Sequence, residues 1–129
     1  MNKVTLLSTL AVVGFFSVPA LAGTPLSGEQ IKQLVSGNTV ALHSNARGKY
    51  YKIFYATDGT AISHDESNGK NYPGTWRITD SGEWCNHWPP AEDRCGQVID
   101  NGDGTYNRME NGSLRSVWKK IYPGNTIAK

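Results

Sequence analysis

Cysteine and charge are both scarce in this sequence. Among its 129 residues there are two cysteines, and 19% of the residues are Asp, Glu, Lys or Arg. So few charges exclude a disordered polyelectrolyte, and the lack of a heptad or Gly-X-Y repeat excludes a coiled coil and a collagen-like chain. The length corresponds to one domain.

The sequence also lacks the familiar motifs of catalytic and cofactor sites. It contains no Gly-x-Ser-x-Gly, no His-Glu-x-x-His and no phosphate-binding loop. Its three histidines fall on separate predicted elements without metal-ligand spacing, so neither a metal site nor a cofactor is predicted. These histidines are His43, His64 and His87. We predict no catalytic residue.

The one long apolar run lies near the beginning of the chain and resembles a secretory leader. Lys3 is followed by an apolar or small stretch from Val4 to Val18, and Ala20-Leu21-Ala22 fits the small-x-small cleavage pattern. The run is shorter than the roughly 20 residues of a membrane-spanning helix. We therefore predict a signal peptide over residues 1–22, a single β-rich domain over residues 23–129 without an integral membrane segment, and a periplasmic or secreted location.

Charge also limits the partners of the exported domain. Removing Lys3 from the 13 basic residues leaves one more than the 11 acidic residues. A domain so close to neutral is not expected to bind nucleic acid or anionic lipid through its net charge.

Cys85 and Cys95 are predicted to form a disulfide, because export makes one permissible. Free thiols and a metal site are the alternatives, but two cysteines with one nearby histidine are a weak metal signal. On a strand, Trp84, Asn86 and Trp88 share one face, which places the disulfide on the other.

Aromatic residues and glycines are plentiful and predict a compact, turn-rich β domain. Ser27-Gly28-Glu29-Gln30 is a capping-box pattern that predicts a short helix ending at Gly37. Short β-prone runs separated by Asn, Asp and Gly turns follow it. The predicted fold is mainly β: a curled antiparallel meander or a small lipocalin-like barrel with one short N-terminal helix.

One segment fits two structures. Leu114, Val117, Trp118 and Ile121 have helical spacing, but the stretch is rich in β-prone residues and follows an Asn-Gly turn. We predict a closing strand over residues 114–121.

Three functional hypotheses follow. The favoured one is a non-catalytic binding module whose concave interior holds a small apolar ligand. Its predicted ligand-binding residues are Tyr51, Tyr55, Trp76, Trp84 and Trp88, although the same aromatics would also serve as core. The second is a protein–protein module of the inhibitor or immunity type, binding a periplasmic protein through the Pro89–Asp93 loop. The third is a small hydrolase that pairs His64 or His87 with an adjacent acid.

Several landmarks recur in an order that resembles a known group of proteins. They are Leu26-Ser27-Gly28, Gly37-Asn38-Thr39-Val40, Asp58-Gly59-Thr60, Gly74-Thr75-Trp76-Arg77-Ile78, Cys85-x-x-Trp88, Cys95 and Pro123-Gly124-Asn125. Together they resemble a family of small uncharacterised secreted or periplasmic bacterial proteins with a lipocalin-like appearance. The resemblance implies an exported β-rich domain with one disulfide, and it supplies no catalytic residues.

Overall fold

In a computed structural model, which describes residues 23–127, the chain forms one helix and nine strands in a single antiparallel sheet. The predicted leader, residues 1–22, and residues 128–129 lie outside this range. The helix α1 spans Gly28–Val35, and the strands are β1 (Thr24–Pro25), β2 (Asn38–Ser44), β3 (Lys49–Tyr55), β4 (Thr60–Asp65), β5 (Asn71–Ile78), β6 (Trp84–His87), β7 (Arg94–Asp100), β8 (Tyr106–Glu110) and β9 (Ser113–Pro123).

The sheet closes on itself into a barrel. Each strand from β2 to β8 pairs with the next strand in sequence. The last strand, β9, also pairs with β2, which closes the ring. This makes an eight-stranded antiparallel barrel, to which the two residues of β1 add a short pairing along β7. The prediction of a mainly β fold with one short helix is confirmed, and the barrel is the correct one of its two forms. Closure leaves β2–β9 without the unpaired edges of an open sheet.

Helix α1 packs against one end of the barrel. The Ser27 hydroxyl accepts a hydrogen bond from the Gln30 amide at 3.1 Å, and the Gln30 side chain accepts one from the Ser27 amide at 2.8 Å, as the capping box predicts. Ile31 and Val35 are fully buried, and Gly28 lies against the β5–β6 turn. We call this the helix end; the β2–β3, β4–β5, β6–β7 and β8–β9 connections lie at the opposite, far end.

Large aromatic side chains fill the barrel near the helix end. The Trp84 ring meets the rings of Tyr55 and Trp118 edge to face, with ring centroids 4.9 Å apart in both pairs. Each of these three side chains is 1% exposed. Such contacts contribute roughly 0.5–1.5 kcal/mol each beyond the area that they bury, so this cluster is the centre of the core.

The segment 114–121 is a strand, as predicted, and its helical spacing has a structural cause. The pairing of β9 with β2 shifts register between Trp118 and Lys120, and its pairing with β8 shifts between Leu114 and Ser116. A bulge adds one residue to a strand without adding one to its partner. Trp118 and Ile121 therefore both pack against the core although they are three residues apart.

Cys85 and Cys95 are directly opposite each other on β6 and β7 and form a disulfide, which confirms that prediction. The bond lies on the outward face of the two strands, while their neighbours Trp84 and Val98 face the core. Such a bond fits an oxidising compartment. In residues 23–127, no helix has the length and apolar character required to span a membrane.

Candidate functional site

The five predicted ligand-binding residues occupy two kinds of environment. Tyr55, Trp76 and Trp84 are buried in the core, where the Trp76 indole N–H donates to the Ala56 carbonyl at 2.8 Å. Tyr51 and Trp88 are half-buried and lie nearer the far end of the barrel. The structure thus brings all five to the inward face, three as core and two toward the far end. Their ligand-binding role stays a prediction.

Toward the far end, the inward face of the barrel becomes polar on four of its strands. Along β6, Trp84 near the helix end is followed two residues later by Asn86, and alternation points both side chains inward. The same change occurs on β4, β8 and β9. The buried inward polar residues are Ser63, Asp65, Asn86, Arg108 and Ser116, and we call them the polar end of the barrel.

Three N–H groups, two on residues of the polar end and one on the adjacent Trp84, are buried and have no hydrogen-bond partner among the described residues. They are the indole Nε1 of Trp84, the side-chain amide Nδ2 of Asn86 and the guanidinium Nε of Arg108. These three residues are 1%, 3% and 8% exposed, respectively. All three atoms are donors, so only an acceptor can pair with them.

The three side chains belong to one contact group. The Arg108 guanidinium lies over the Trp84 ring at 5.0 Å from its centroid, a cation–π geometry. The Tyr55 hydroxyl donates to the Asn86 side-chain oxygen at 3.2 Å, which uses the acceptor of that amide and leaves its NH₂ free. The Tyr55 ring in turn contacts Trp84.

Burial controls the ionisation of this group. Removal from water raises the pKa of the Tyr55 hydroxyl well above its ordinary value, although the positive charge of Arg108 opposes the shift. Burial likewise lowers the pKa of Arg108, which the neighbouring Tyr55 and Glu110 oppose. Arginine starts from a pKa so high that it stays protonated at neutral pH. The polar end therefore contains a neutral phenol and a buried cation.

At the rim of the far end, one carboxylate contacts three arginines. Glu110 lies 3.1 Å from Arg108, 3.3 Å from Arg94 and 3.4 Å from Arg115, measured from carboxylate oxygen to guanidinium nitrogen. The Glu110 and Arg108 side chains are each 10% exposed, whereas Arg94 is half exposed. The rim cluster (Arg94, Arg108, Glu110 and Arg115) thus has two more positive charges than negative ones.

A second carboxylate at the polar end is held as an anion. Asp65 accepts hydrogen bonds from the hydroxyl and the amide of Ser67 at 2.6 and 2.8 Å, and Lys49 lies 3.4 Å away. These contacts, the Ser67 hydroxyl first, lower the pKa of Asp65 below its usual range, against the effect of burial. The Asp65 carboxylate therefore already has its partners in Ser67 and Lys49.

The structure separates His64 from Asp65, one of the pairs of the hydrolase hypothesis. His64 and Asp65 are adjacent on β4 and point to opposite faces, and the His64 ring contacts Asn71 at 2.7 Å. His43 stacks edge-on against Tyr50 on the outer face of the barrel. Within residues 23–127, no histidine is hydrogen-bonded to a carboxylate.

The sulfur atoms of the disulfide lie near an acidic side chain without forming a metal site. Cys85, Cys95 and Asp93 place their ligand atoms within 4.8 Å of one another. Zinc and similar ions bind the deprotonated thiolate, and here both sulfurs are joined to each other. The Asp93 carboxylate is instead ion-paired with Arg77, outside the barrel.

Two depressions open on the outside of the barrel. One, of about 400 Å³, follows β7 and β8 and is lined by Cys95, Gln97, Ile99 and Met109 among others. The other, of about 330 Å³, lies between α1 and the β7–β8 connection, next to Leu34 and Tyr106. Neither is lined by any of the five predicted ligand-binding residues.

Arg108 was not predicted to lie in the barrel interior. Asn86 was predicted on the same face as Trp84 and Trp88, which is correct, but without a role. The inward direction of Arg108 could have been inferred from Tyr106, which lies two residues earlier on the same short strand and packs against the core. An arginine two residues from an inward tyrosine is expected to face inward as well.

Comparison with known proteins gives no relative from which a role could be transferred. No family model matches the chain, and no similar curated protein or solved structure is found.

Proposed function

We propose that this chain is a secreted or periplasmic binding module that holds a small ligand at the polar end of its barrel and catalyses no reaction. The observation that carries the proposal is the set of buried N–H donors on Trp84, Asn86 and Arg108, which have no acceptor within residues 23–127. A buried donor without an acceptor costs about 1–3 kcal/mol. A bound molecule that supplies acceptors would remove that cost.

Two features of the barrel support entry of such a ligand from the far end. Helix α1 covers the helix end, so the far end is the shorter route to Asn86 and Arg108. Tyr51 and Trp88 are half-buried aromatics on that route. Binding sites for small molecules combine apolar walls with a few placed polar groups. The ligand accordingly has an apolar part against these aromatics and acceptor atoms that reach the buried donors.

The location in this proposal rests on two features. The predicted leader over residues 1–22 directs export, and a disulfide between Cys85 and Cys95 persists in an oxidising compartment. Cell fractionation followed by intact-mass measurement tests this part. Mature protein that lacks residues 1–22 in the periplasmic or secreted fraction supports it, and full-length protein in the cytoplasm contradicts it.

Binding is tested with purified protein and simple probes, some neutral and some anionic. Octanol, octanamide, octanoate, benzamide and benzoate are titrated while Trp fluorescence and thermal unfolding are recorded. A probe at about 100 times its Kd stabilises a folded protein by about 2.7 kcal/mol, which raises the Tm of a domain of this size by about 10 °C.

A pair of amide substitutions places the binding site. Asn86→Leu removes a buried donor and is expected to weaken binding about tenfold or more, the effect of about 1.4 kcal/mol. Gln97→Leu removes an exposed amide from the outer face of β7 and is the matched control. Binding that is equally weak in both variants, or a lack of binding by every probe, contradicts the proposal.

One observation favours a second candidate, the protein–protein module. Residues 89–93 are all exposed, and the loop is bounded by the disulfide and by a hydrogen bond from the Ala91 amide to the Trp88 carbonyl at 2.9 Å. A loop that is already ordered loses little entropy on binding. Pull-downs from periplasmic extract with Pro89–Asp93 intact and replaced by Gly and Ser residues distinguish the candidates, since identical partner lists exclude the loop.

A further inference from the structure

The rim cluster and the unpaired donors of the polar end are parts of one continuous positive site. Arg108 belongs to both: its Nη2 donates to the Arg94 carbonyl at 3.0 Å and contacts Glu110, while its Nε has no partner among the described residues. A guanidinium has five N–H donors arranged as a rigid fork that matches carboxylates and phosphates. The buried edge of Arg108 is therefore the part of the fork that is left for another acceptor.

Charge selects the kind of acceptor. Glu110 supplies one negative charge to three arginines, and it already serves Arg94, Arg108 and Arg115 at 3.1–3.4 Å. The other carboxylate of the polar end, Asp65, is bound to Ser67 and Lys49. A buried cation is stabilised by an opposite charge more than by a neutral dipole, because attraction between charges is stronger where water is excluded.

We infer that the ligand has an anionic group, a carboxylate or a phosphate, that binds Arg108 and the Asn86 amide from the far end of the barrel, in competition with Glu110. This inference rests on the function proposed above and names the chemical class of its ligand. Glu110 offsets one of the three positive charges and holds the arginines in place, so it is a positioning residue. An incoming anion takes over part of its interaction with Arg108.

The test compares each anion with its neutral amide. The Kd values of octanoate against octanamide and of benzoate against benzamide are measured for the wild type, together with that of inorganic phosphate. We expect each carboxylate to bind at least tenfold more tightly than its amide, with a Kd that rises with salt. Tight phosphate binding identifies a free anion as the ligand class, while a preference for octanoate identifies an anion with an apolar tail.

Three variants separate a direct role of Arg108 from a change in net charge. Arg108→Gln is expected to remove the preference for carboxylate over amide. Glu110→Gln is expected to strengthen carboxylate binding several-fold, because the competing carboxylate is lost while all three arginines remain. Arg77→Gln removes one positive charge on the outer face of β5 and is expected to leave both Kd values unchanged.

The outcomes are distinct from those of the proposed function. If neither the neutral nor the anionic probes bind, both proposals are overturned. If amides and carboxylates bind the wild type equally, or if Arg77→Gln weakens carboxylate binding as much as Arg108→Gln does, the anionic ligand is overturned and the binding module stands. Near-UV circular dichroism establishes that each variant is folded, and the opposite direction expected for Glu110→Gln cannot arise from partial unfolding.

Discussion

Removal of the Cys85–Cys95 disulfide is the most direct test of what stabilises this barrel. The two cysteines are 10 residues apart in sequence and face each other across β6 and β7. Closing a loop of about 11 residues restricts the unfolded chain and corresponds to about 2.8 kcal/mol of stability in the chain-entropy description. For a domain of this size, that loss lowers Tm by about 10–15 °C.

Urea unfolding of three samples measures this loss: the oxidised protein, the same protein after reduction, and Cys85→Ala/Cys95→Ala. The reduced protein keeps both sulfur atoms, so it isolates the covalent bond from the volume that alanine removes at the fully buried Cys85. We expect the reduced protein to lose about 2–3 kcal/mol and the double variant to lose somewhat more. A reduced protein within about 0.5 kcal/mol of the oxidised one would refute the loop argument.

Three further predictions concern single residues. Gly96→Ala would place a Cβ against the Met109 carbonyl of β8, so the β7–β8 pairing that closes the barrel must shift; we expect a loss of about 2–3 kcal/mol in urea unfolding, and an unchanged midpoint contradicts this. The pKa of Asp65 is lowered chiefly by the Ser67 hydroxyl, so the ionised carboxylate stabilises the fold above about pH 4, and this stability is lost as pH falls through the lower pKa of the folded state. Asp65→Asn should therefore reduce the loss of stability at acidic pH, and identical profiles of stability against pH for the variant and the wild type would argue against this role. Ser27→Ala removes the N-cap of α1 and should cost about 1 kcal/mol without changing the denaturant m-value, whereas a cost below about 0.3 kcal/mol would show that packing alone holds the helix.

Local patterns in the sequence predicted the fold well, because most of its elements are determined by local chemistry. The capping box at Ser27 fixes the helix start, and the alternation around Trp76 fixes the inward face of β5, with Arg77 exposed as expected. The helical spacing of Val117, Trp118 and Ile121 was the ambiguous case. A register shift in β9 produces that spacing, and such a shift depends on the partner strand rather than on the segment itself.

The candidate site was harder to predict, since its residues come together only through barrel closure. Asn86 is on β6 and Arg108 is on β8, and β7 lies between them. The predicted ligand-binding residues were chosen among the aromatics because these are large and apolar. Three of them, Tyr55, Trp76 and Trp84, are buried in the core. A polar residue on a short strand gives no sign of its direction in the sequence until the strand's register is known.

The polar end makes a binding role more reasonable than a purely structural one. A barrel of this size is filled by side chains, and apolar ones would fill it without unpaired donors. Here Asn86 and Arg108 are buried, and each has an N–H without an acceptor among residues 23–127. Replacing buried charged groups by apolar residues is often neutral or stabilising, so stability alone does not account for Arg108. The proposed ligand would supply the missing acceptor, and it would account for the arginine, for its position two residues from Glu110, and for the change from aromatic to polar side chains along the barrel axis.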